Sequence, residues 1–476
     1  MTTFDTLLTG WAADFGDRTA VGDGVSGGYS YRDLDAAARD VAAWLHRVVP
    51  RPPFLLLPGN TPDDVAFLLG ALRSGLVPLI GDPAWSEREI EDTACRTGAS
   101  VVISGRRGDD DLPGYRGRGG AMRTVRTGAN ENGCATHDLT GIDFGRFTSG
   151  SSGAPRCLGF GSAAMVNAAA AWRTATGLDA DDSVMCFASI NNGLAFNTSL
   201  LPVFASGATL ILPGVSPIPS QLLNALRDVA PSVLVAFPFI YEVLAKRDLS
   251  ALTSLRLLVS SAAPLTADVE RRWFEAVGRP VCNYYGLAEV GPVTFNDGRT
   301  AGALGRALPG VDIATHRTGG ADDPAARIAV RTRSMATRYL DPRPPEFGSH
   351  LDADGYFRTQ DLGYLDDGDL FVTGRADRIV NMAGRKIDPA EISEVLQRHP
   401  AVTGALVRGE GAGSETVLCA YVESTVATRD ELVQHCRKSL APFKIPQRWT
   451  IVPALPRSSA GKIMSAGLAA IGTASR

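Results

Sequence analysis

The stretch from Phe147 to Arg156, which reads FTSGSSGAPR, combines hydroxyl side chains and glycines with a closing proline and arginine. Backbone N–H groups, hydroxyls and one positive charge in such a loop can converge on a polyphosphate. The composition is also typical of flexible surface loops, so the stretch by itself supports both interpretations about equally. It does not match the P-loop of nucleoside triphosphatases, because Ser151 stands where that motif requires lysine after Gly145 and Gly150. As a functional site, it would be a phosphate clamp of another kind.

Three other groups of residues could take part in the same chemistry. Asn283 to Glu289, which reads NYYGLAE, contains a carboxylate, although a strand end with a core aromatic pair and a solvated acid explains it more simply. Asp361 could accept both hydroxyls of a ribose while Arg375 adds donors, although their spacing alone favours a surface ion pair. Lys462 lies in the Ser/Gly-rich segment LPRSSAGKI, where a lone lysine is usually a solvated charge.

Taken in chain order, the four segments resemble the signatures of the adenylate-forming superfamily of acyl-CoA ligases, luciferases and peptide-synthetase adenylation domains. The first resembles T-S-G-[ST]-[ST]-G-x-P-K, and the second resembles an aromatic-G-x-T-E motif. The third resembles T-G-D followed by G-R-x-D, and the last resembles P-R-[ST]-x-x-G-K-[ILV]. Three residues depart from these patterns: Arg156 replaces lysine, Ala288 replaces a threonine that bonds the α-phosphate, and Gln360 replaces glycine. The resemblance covers most of the chain.

The resemblance implies roles for individual residues. Lys462, Glu289 and Arg156 would be catalytic, with Glu289 also holding Mg²⁺ on the phosphates of ATP and Lys462 bridging these phosphates and the substrate carboxylate. The nucleotide would be bound by Thr148, Ser149, Gly150, Ser151, Ser152, Gly153, Ala263, Tyr284, Tyr285, Gly286, Asp361 and Arg375. The carboxylic acid would be bound by Asn192, Gly193, Ser261, Ala262 and Gly286. Asp377 would lie at a hinge between two domains.

The implied reaction is in-line attack of a carboxylate on the α-phosphate of ATP, which gives an acyl-AMP and pyrophosphate. The acyl group then passes to a thiol, and coenzyme A and the phosphopantetheine arm of a separate carrier protein are both open as acceptors. No carrier domain is expected here, because the chain continues only briefly after Lys462. Residues 189–197 lack the aspartate with which amino-acid activators of the superfamily pair the substrate ammonium, and an unpaired buried ammonium would be costly. An aryl or other non-α-amino carboxylic acid is therefore the predicted substrate.

Two alternatives stay open. One is an amino-acid-activating, stand-alone adenylation enzyme. The other is a non-catalytic relative that binds a nucleotide or an acyl ligand as a regulator, which the three departures suggest. The presence of Glu289, Asp361, Arg375 and Lys462 favours the enzyme, since a binding module would not need the lysine on a mobile domain.

Short apolar runs alternate with amphipathic helical patterns, which indicates an α/β fold with mostly parallel sheets. Strands are predicted at 54–57, 77–80, 101–104, 183–188, 208–212, 232–236 and 255–260, and helices within 29–49 and at 65–72, 87–96, 162–177 and 198–206. An irregular connection is predicted from 105 to about 140, and short strands with Asp-Gly turns at 356–375. The predicted domains are 1–374, a hinge at 375–378, and a small mobile α+β domain at 379–476, with helices at 389–398 and 429–440 and strands at 402–408 and 417–422.

Composition limits the classes of function. The 476 residues exceed the usual size of one core, and the net charge of −4 without any basic block argues against a nucleic-acid partner. Seven scattered cysteines and six histidines predict neither a disulfide framework nor a zinc site. With no export signal and no apolar run approaching about 18 residues, a soluble cytoplasmic protein without a membrane partner is expected.

Overall fold

The computed structural model describes residues 3–25, 27–104, 137–148, 155–215, 218–261, 265–317, 326–341, 345–376, 380–382, 385–410, 417–440, 442–457, 463–464 and 468. Most of the connection predicted from 105 to about 140 lies outside these ranges. So do most of the loop at 147–156, Asp377 of the predicted hinge, and Lys462.

Twelve helices lie within the described ranges. They are α1 (Phe4–Phe15), α2 (Tyr31–Val48), α3 (Pro62–Arg73), α4 (Glu87–Thr97), α5 (Ser162–Thr176), α6 (Gly193–Ala195), α7 (Leu201–Ser206), α8 (Pro219–Val229), α9 (Pro238–Leu244), α10 (Ala267–Val277), α11 (Pro389–Gln397) and α12 (Arg429–Arg437). A π-helical turn, Phe196–Leu200, joins α6 to α7, and 3₁₀ turns occur at Phe347–His350 and Pro442–Lys444.

The strands of the large N-terminal part are β1 (Thr19–Gly22), β2 (Gly28–Ser30), β3 (Phe54–Leu57), β4 (Pro78–Ile80), β5 (Val102–Ser104), β6 (Phe144–Phe147), β7 (Cys157–Phe160), β8 (Ser183–Cys186), β9 (Thr209–Ile211), β10 (Val233–Val235), β11 (Leu257–Ser261), β12 (Val281–Leu287), β13 (Gly291–Asn296), β14 (Arg306–Ala307), β15 (Val311–Arg317), β16 (Ala326–Thr332), β17 (Arg338–Tyr339), β18 (Phe357–Asp366) and β19 (Asp369–Arg375). Those of the C-terminal part are β20 (Val380–Met382), β21 (Arg385–Ile387), β22 (Gly404–Glu410), β23 (Val417–Glu423) and β24 (Arg448–Val452).

Two sheets form the large part of the molecule. The 13-stranded sheet has the order β15-β16-β18-β19-β14-β13-β12-β11-β10-β8-β9-β1-β2, and the 6-stranded sheet has the order β17-β7-β6-β4-β3-β5. The pairs from β1 through β9, β8, β10 and β11 to β12 are parallel, and the sheet continues from β13 to β15 with antiparallel pairs. The predicted α/β fold, with a large sheet-rich domain followed by a small one, is confirmed.

The C-terminal part has a core of its own. Buried residues from Ile387 to Leu440 pack together without any residue of the N-terminal part. Strands β22 and β23 pair antiparallel and β24 joins β23 in parallel, while α11 and α12 cover this sheet. This is the α+β arrangement expected for the tail. The hinge at 375–378 stays a prediction.

Local sequence explains where many elements begin and end. Helix α4 starts with a capping box, in which Ser86 accepts the N–H of Glu89 while the Glu89 carboxylate accepts the N–H of Ser86, and it ends at Gly98 in the left-handed region. Strand β3 has the predicted bounds. It lies between β4 and β5, and all four of its apolar residues are buried, as is typical of a central strand in a parallel sheet. The Asp367-Gly368 turn between β18 and β19 has positive φ at both residues, as a tight hairpin turn requires.

Within the described ranges, no helix combines the length and the apolar character needed to cross a membrane. Cys95 is disulfide-bonded, whereas Cys157, Cys186, Cys282, Cys419 and Cys436 are free. The cysteine spacing predicted no disulfide framework, and it did not indicate the bond at Cys95, because spacing along the chain does not show which thiols the fold brings together.

Candidate active site

The predicted phosphate loop connects two paired strands of the smaller N-terminal sheet. Phe147 at the end of β6 pairs with Cys157 at the start of β7. The Thr148 N–H donates to the Arg156 carbonyl at 2.9 Å, and the Arg156 N–H donates to the Thr148 hydroxyl at 3.0 Å. These bonds close the loop at its base. Ser149, Gly150, Ser151, Ser152 and Gly153 lie outside the described residues.

The Arg156 side chain lies at the base of this loop and is held by protein groups. Its guanidinium carbon is 3.5 Å from the centroid of the Tyr339 ring, and Nη1 donates to the Pro345 carbonyl at 2.8 Å. Its Nε lies 3.9 Å from a carboxylate oxygen of the fully buried Asp341. The structure therefore stacks this cation on an aromatic ring beside the loop.

Tyr339 connects the loop to Glu289. Its hydroxyl lies 3.5 Å from Glu289 Oε1, a long hydrogen bond. Sequence reasoning missed Tyr339, because it lies on the two-residue strand β17 and reaches the loop only through the antiparallel pairing of β17 with β7. Arg156 and Glu289, both predicted to be catalytic, thus contact the same tyrosine, Arg156 at the ring face and Glu289 at the hydroxyl.

Glu289 follows β12, and its environment disfavours its charged form. Burial raises the pKa of the Glu289 carboxyl above its ordinary value, and the positive charge of Arg375 opposes this shift. Within the described residues no cluster of three or more acidic, histidine or cysteine side chains could hold a metal ion. A single carboxylate nevertheless fits Mg²⁺ bound to ATP, which uses one or two protein carboxylates together with phosphates and waters.

The raised pKa of Glu289 predicts a gain in stability from the Glu289→Gln substitution. In the unfolded chain this carboxyl ionises near its ordinary pKa of about 4.3, whereas in the folded protein burial keeps it protonated to a higher pH. The free energy of unfolding of the wild type therefore falls as the pH rises from the ordinary pKa through the raised one. Glutamine avoids this cost. We expect equal melting temperatures below about pH 4 and a higher melting temperature for the variant at pH 8, measured without ligand.

The control is Glu91→Gln, which removes the same charge from an exposed position on α4. An increase in melting temperature that depends on pH and occurs only in Glu289→Gln would support a raised pKa for Glu289. Equal shifts in both variants, or a lower melting temperature of Glu289→Gln at pH 8, would contradict it.

Asp361, Arg375 and Tyr285 form a cluster in which the carboxylate is buried and the arginine side chain is 30% exposed. Asp361 and Arg375 are direct partners in the β18–β19 pairing, and Arg375 Nη1 lies 3.1 Å from Asp361 Oδ1. The Tyr285 hydroxyl donates to Asp361 Oδ2 at 2.6 Å, and only 4% of Asp361 is exposed. A surface ion pair does not describe this arrangement, because the carboxylate is buried and each oxygen already accepts one hydrogen bond.

The adjacent tyrosines of β12 face opposite sides of the sheet, as successive strand residues do. Tyr285 faces Asp361, whereas the buried Tyr284 accepts a hydrogen bond from Asn197 Nδ2 at 2.9 Å. Gly286 lies on the Tyr284 side, where a Cβ atom would come within 2.5 Å of the Tyr284 hydroxyl. The sequence assigned both tyrosines to the nucleotide, but the structure brings only Tyr285 to the Asp361 cluster.

The predicted acyl pocket is built around the π-helical turn. Asn192 Oδ1 accepts the Leu194 N–H at 3.0 Å and so caps the helical turn that begins at Gly193. The Ser261 hydroxyl donates to the Tyr284 carbonyl at 2.8 Å. Asn197, which sequence reasoning did not single out, connects this turn to β12. Local widening of a helix to π geometry is frequent at functional sites.

The ends of parallel strands explain why these residues converge. The pocket segment follows β8, Ser261 ends β11 and Glu289 follows β12, and all three strands run parallel in one sheet. Ligands of such sheets bind in the crevice at the carboxyl ends of the strands. Ala262, Ala263, Asp377 and Lys462 lie outside the described residues, so their predicted roles stay predictions.

Known proteins share the sequence and the fold of this chain. Residues 8–340 match the family described as AMP-binding enzyme, and residues 391–462 match the AMP-binding enzyme C-terminal domain. The 4-coumarate–CoA ligase 1 of Oryza sativa subsp. japonica is 26% identical, over 93% of this chain and 87% of its own length. Novobiocin biosynthesis protein H of Streptomyces niveus is 31% identical, over 68% of this chain and 56% of its own length. The solved structure of the Bacillus subtilis o-succinylbenzoate coenzyme A synthetase with ATP and magnesium ion has a TM-score of 0.81 at 21% identity, covering 97% of this chain and 99% of that chain.

Proposed function

The chain belongs to the AMP-binding enzyme family, and we propose that it activates an aryl or other non-α-amino carboxylic acid with ATP and transfers the acyl group to a thiol. It is thus an AMP-forming acid–thiol ligase. What we propose is the chemical class of the acid and the identity of the thiol that accepts the acyl group. The observation that carries the proposal is the convergence of the loop base, Glu289 and the Asp361–Arg375 pair around the ends of β11 and β12.

The two substrates, ATP and the carboxylic acid, would bind on opposite faces of β12. The ribose hydroxyls of ATP would donate to Asp361, whose carboxylate has acceptor capacity beyond the bonds from Tyr285 and Arg375. The acid would lie on the side of Tyr284 and Gly193. Its reacting carboxylate would then meet the α-phosphate near Gly286, a position where the Tyr284 hydroxyl and the Gly291 carbonyl leave no space for a side chain.

The residues around the phosphates would act by positioning and by charge. Thr148 holds the base of the loop closed, and Glu289 would hold Mg²⁺, which would offset the negative charge of the phosphates. The Arg156 cation stays beside the loop on the Tyr339 ring. Lys462 would bridge the attacking carboxylate and the phosphates as a point charge. Attack forms the bond from the carboxylate oxygen to the α-phosphorus, and pyrophosphate leaves.

Coenzyme A is the acceptor that the similarity to named CoA ligases supports. A carrier-protein phosphopantetheine arm is the alternative, because both ligands present the same terminal thiol. Among substrates, the absence of an acidic residue from Ser189 to Asn197 continues to favour an acid without an α-ammonium group.

The experiment that tests this function is the exchange of labelled pyrophosphate into ATP, measured over a panel of aryl, aliphatic and α-amino acids. We expect acid-dependent exchange, and release of AMP when coenzyme A is added to the acid that gives exchange. A holo carrier protein replaces coenzyme A in a parallel reaction. Measurable ATP binding with no exchange for any acid would instead support a non-catalytic binding protein, and exchange only with α-amino acids would overturn the substrate class.

A further inference from the structure

Arg146, near the end of β6, is a buried cation that forms no ion pair with any described residue. Only 7% of the residue is exposed, its Nε is shielded from solvent without a hydrogen-bond partner, and no acid among the described residues pairs with it. Buried polar groups are almost always hydrogen-bonded, and buried charges are almost always paired. The protein therefore holds a positive charge whose natural counterpart is an anion from outside the chain.

The guanidinium of Arg146 lies against the predicted acyl pocket. Its carbon is 4.1 Å from the centroid of the Phe196 ring in the π-helical turn. Its Nη2 is 3.5 Å from the point where a Cβ atom on Gly193 would stand, so it faces the side of that residue that has no side chain. Burial lowers the pKa of Arg146 to about 10, which still leaves it charged at neutral pH. An aromatic ring and a glycine backbone cannot neutralise that charge.

The surroundings place this cation on the acyl side of the site. The Tyr284 hydroxyl accepts a hydrogen bond from Asn197, which lies one residue after Phe196, the ring that contacts Arg146. Having accepted that bond, the hydroxyl keeps its own hydrogen as a donor. The nucleotide side is marked by Tyr285, which faces Asp361 on the opposite side of β12. Arg146 and Tyr284 thus both lie against the π-helical turn, on the side where the acid would lie, and both can donate hydrogen bonds to an anionic group.

We propose that the acid substrate carries a second carboxylate, and that Arg146 binds this distal group while the first carboxylate reacts. The proposal rests on the proposed function and specifies its substrate class. The reacting carboxylate has a different partner in the proposed mechanism, because it must approach the α-phosphate beside Lys462. An arginine stacked on Phe196 suits the distal end of the molecule, since its planar fork binds a carboxylate with two parallel hydrogen bonds.

The test compares matched acids in the pyrophosphate exchange reaction. For each skeleton, aryl and aliphatic, the panel contains the dicarboxylic acid, its half-amide and the monocarboxylic acid without the distal group. We expect wild type to prefer the diacid over its half-amide by roughly tenfold or more in kcat/KM. Arg146→Met should lower kcat/KM for the diacid by about 30-fold, because it removes charge-assisted hydrogen bonds, and should change the half-amide reaction less than threefold.

Two variants control the interpretation. Arg146→Lys keeps the charge and should restore part of the diacid preference. Arg88→Met removes an arginine whose side chain is 91% exposed and should leave both reactions unchanged. If Arg146→Met does not fold, the wild-type preference between diacid and half-amide still decides the proposal.

The outcomes separate this proposal from the proposed function. Exchange with monocarboxylic acids alone, or equal losses for diacid and half-amide in a folded Arg146→Met protein, would overturn the distal-carboxylate site and leave acid activation intact. No exchange with any acid, despite ATP binding, would overturn acid activation itself. A diacid preference that disappears with Arg146 and returns in part with lysine would support both.

Discussion

Replacing Lys462 with alanine is expected to lower acid-dependent pyrophosphate exchange by about a thousandfold while leaving the transfer of preformed acyl-AMP to the thiol nearly unchanged. The lysine would offset repulsion between the attacking carboxylate and the α-phosphate, and a group aimed at developing charge contributes factors of this size. This repulsion exists only in the first half-reaction. The two half-reactions should therefore separate in the variant.

Lys462 itself lies outside the described residues, but its neighbours are anchored to the small domain. Arg457 and Ile463 form an antiparallel bridge, and Arg457 lies 3.3 Å from Glu423 on β23. We expect Lys462, which precedes Ile463 in the chain, to act in one half-reaction and to withdraw in the other if the small domain rotates. Hinge rotation of this kind needs only a few residues that change φ and ψ, which is the role proposed for Asp377.

The measurement uses exchange for the first half-reaction and synthetic acyl-AMP with coenzyme A for the second. Lys438→Ala, which removes an exposed lysine just after α12, is the control and should affect neither reaction. Equal losses in both half-reactions would show that Lys462 supports the protein as a whole, and the proposed catalytic role would then be wrong.

Asp361→Asn is expected to raise KM for ATP and to lower kcat/KM by about a hundredfold, with a smaller effect on KM for the acid. Each carboxylate oxygen already accepts one bond, from Tyr285 or Arg375, and keeps a second lone pair for a ribose hydroxyl. Hydrogen bonds to a charged group contribute about 1.5–3 kcal/mol each, so weakening two of them accounts for a loss of this size. The acid lies on the other face of β12 and should be affected less.

The chain offers a closely matched control for this substitution. Asp312 and Arg331 are also direct partners across two antiparallel strands, β15 and β16, and their side chains lie 2.8 Å apart. Their side chains are 58% and 48% exposed, however, so this pair contributes little. Asp312→Asn should leave the ATP kinetics unchanged. A folded Asp361→Asn protein with unchanged KM for ATP would argue against ribose binding at this pair.

Much of the fold was predictable from local patterns. Strand β3 and helix α4 agree with the sequence to within a residue or two, because apolar runs and capping residues act over a few positions. The π-helical turn from Phe196 to Leu200 was not foreseen, and the helix predicted at 198–206 begins earlier, at Gly193. Of the seven strands from β13 to β19, the sequence predicted only the region of β18 and β19. Strands β14 and β17 have two residues each and pair with the distant strands β19 and β7, so no local pattern indicates them.

The sequence by itself determined the class of chemistry. The physical reason is that the signatures at 147–156, 283–289, 359–377 and 456–463 are short segments, so their residue types and spacing are visible directly in the sequence. The sequence showed that Arg156, Ala288 and Gln360 depart from the motifs of the superfamily, but it did not show how these departures change the site.

Only the tertiary structure decided which residues meet. It stacks Arg156 on Tyr339, whose strand pairs with β7 from almost 180 positions away, and it turns Tyr284 and Tyr285 to opposite faces of one sheet. It also buries Arg146 beside Phe196, with no counter-charge among the residues that the structure describes. These contacts follow from the order of strands in two sheets, and that order depends on packing between segments that are far apart in the sequence.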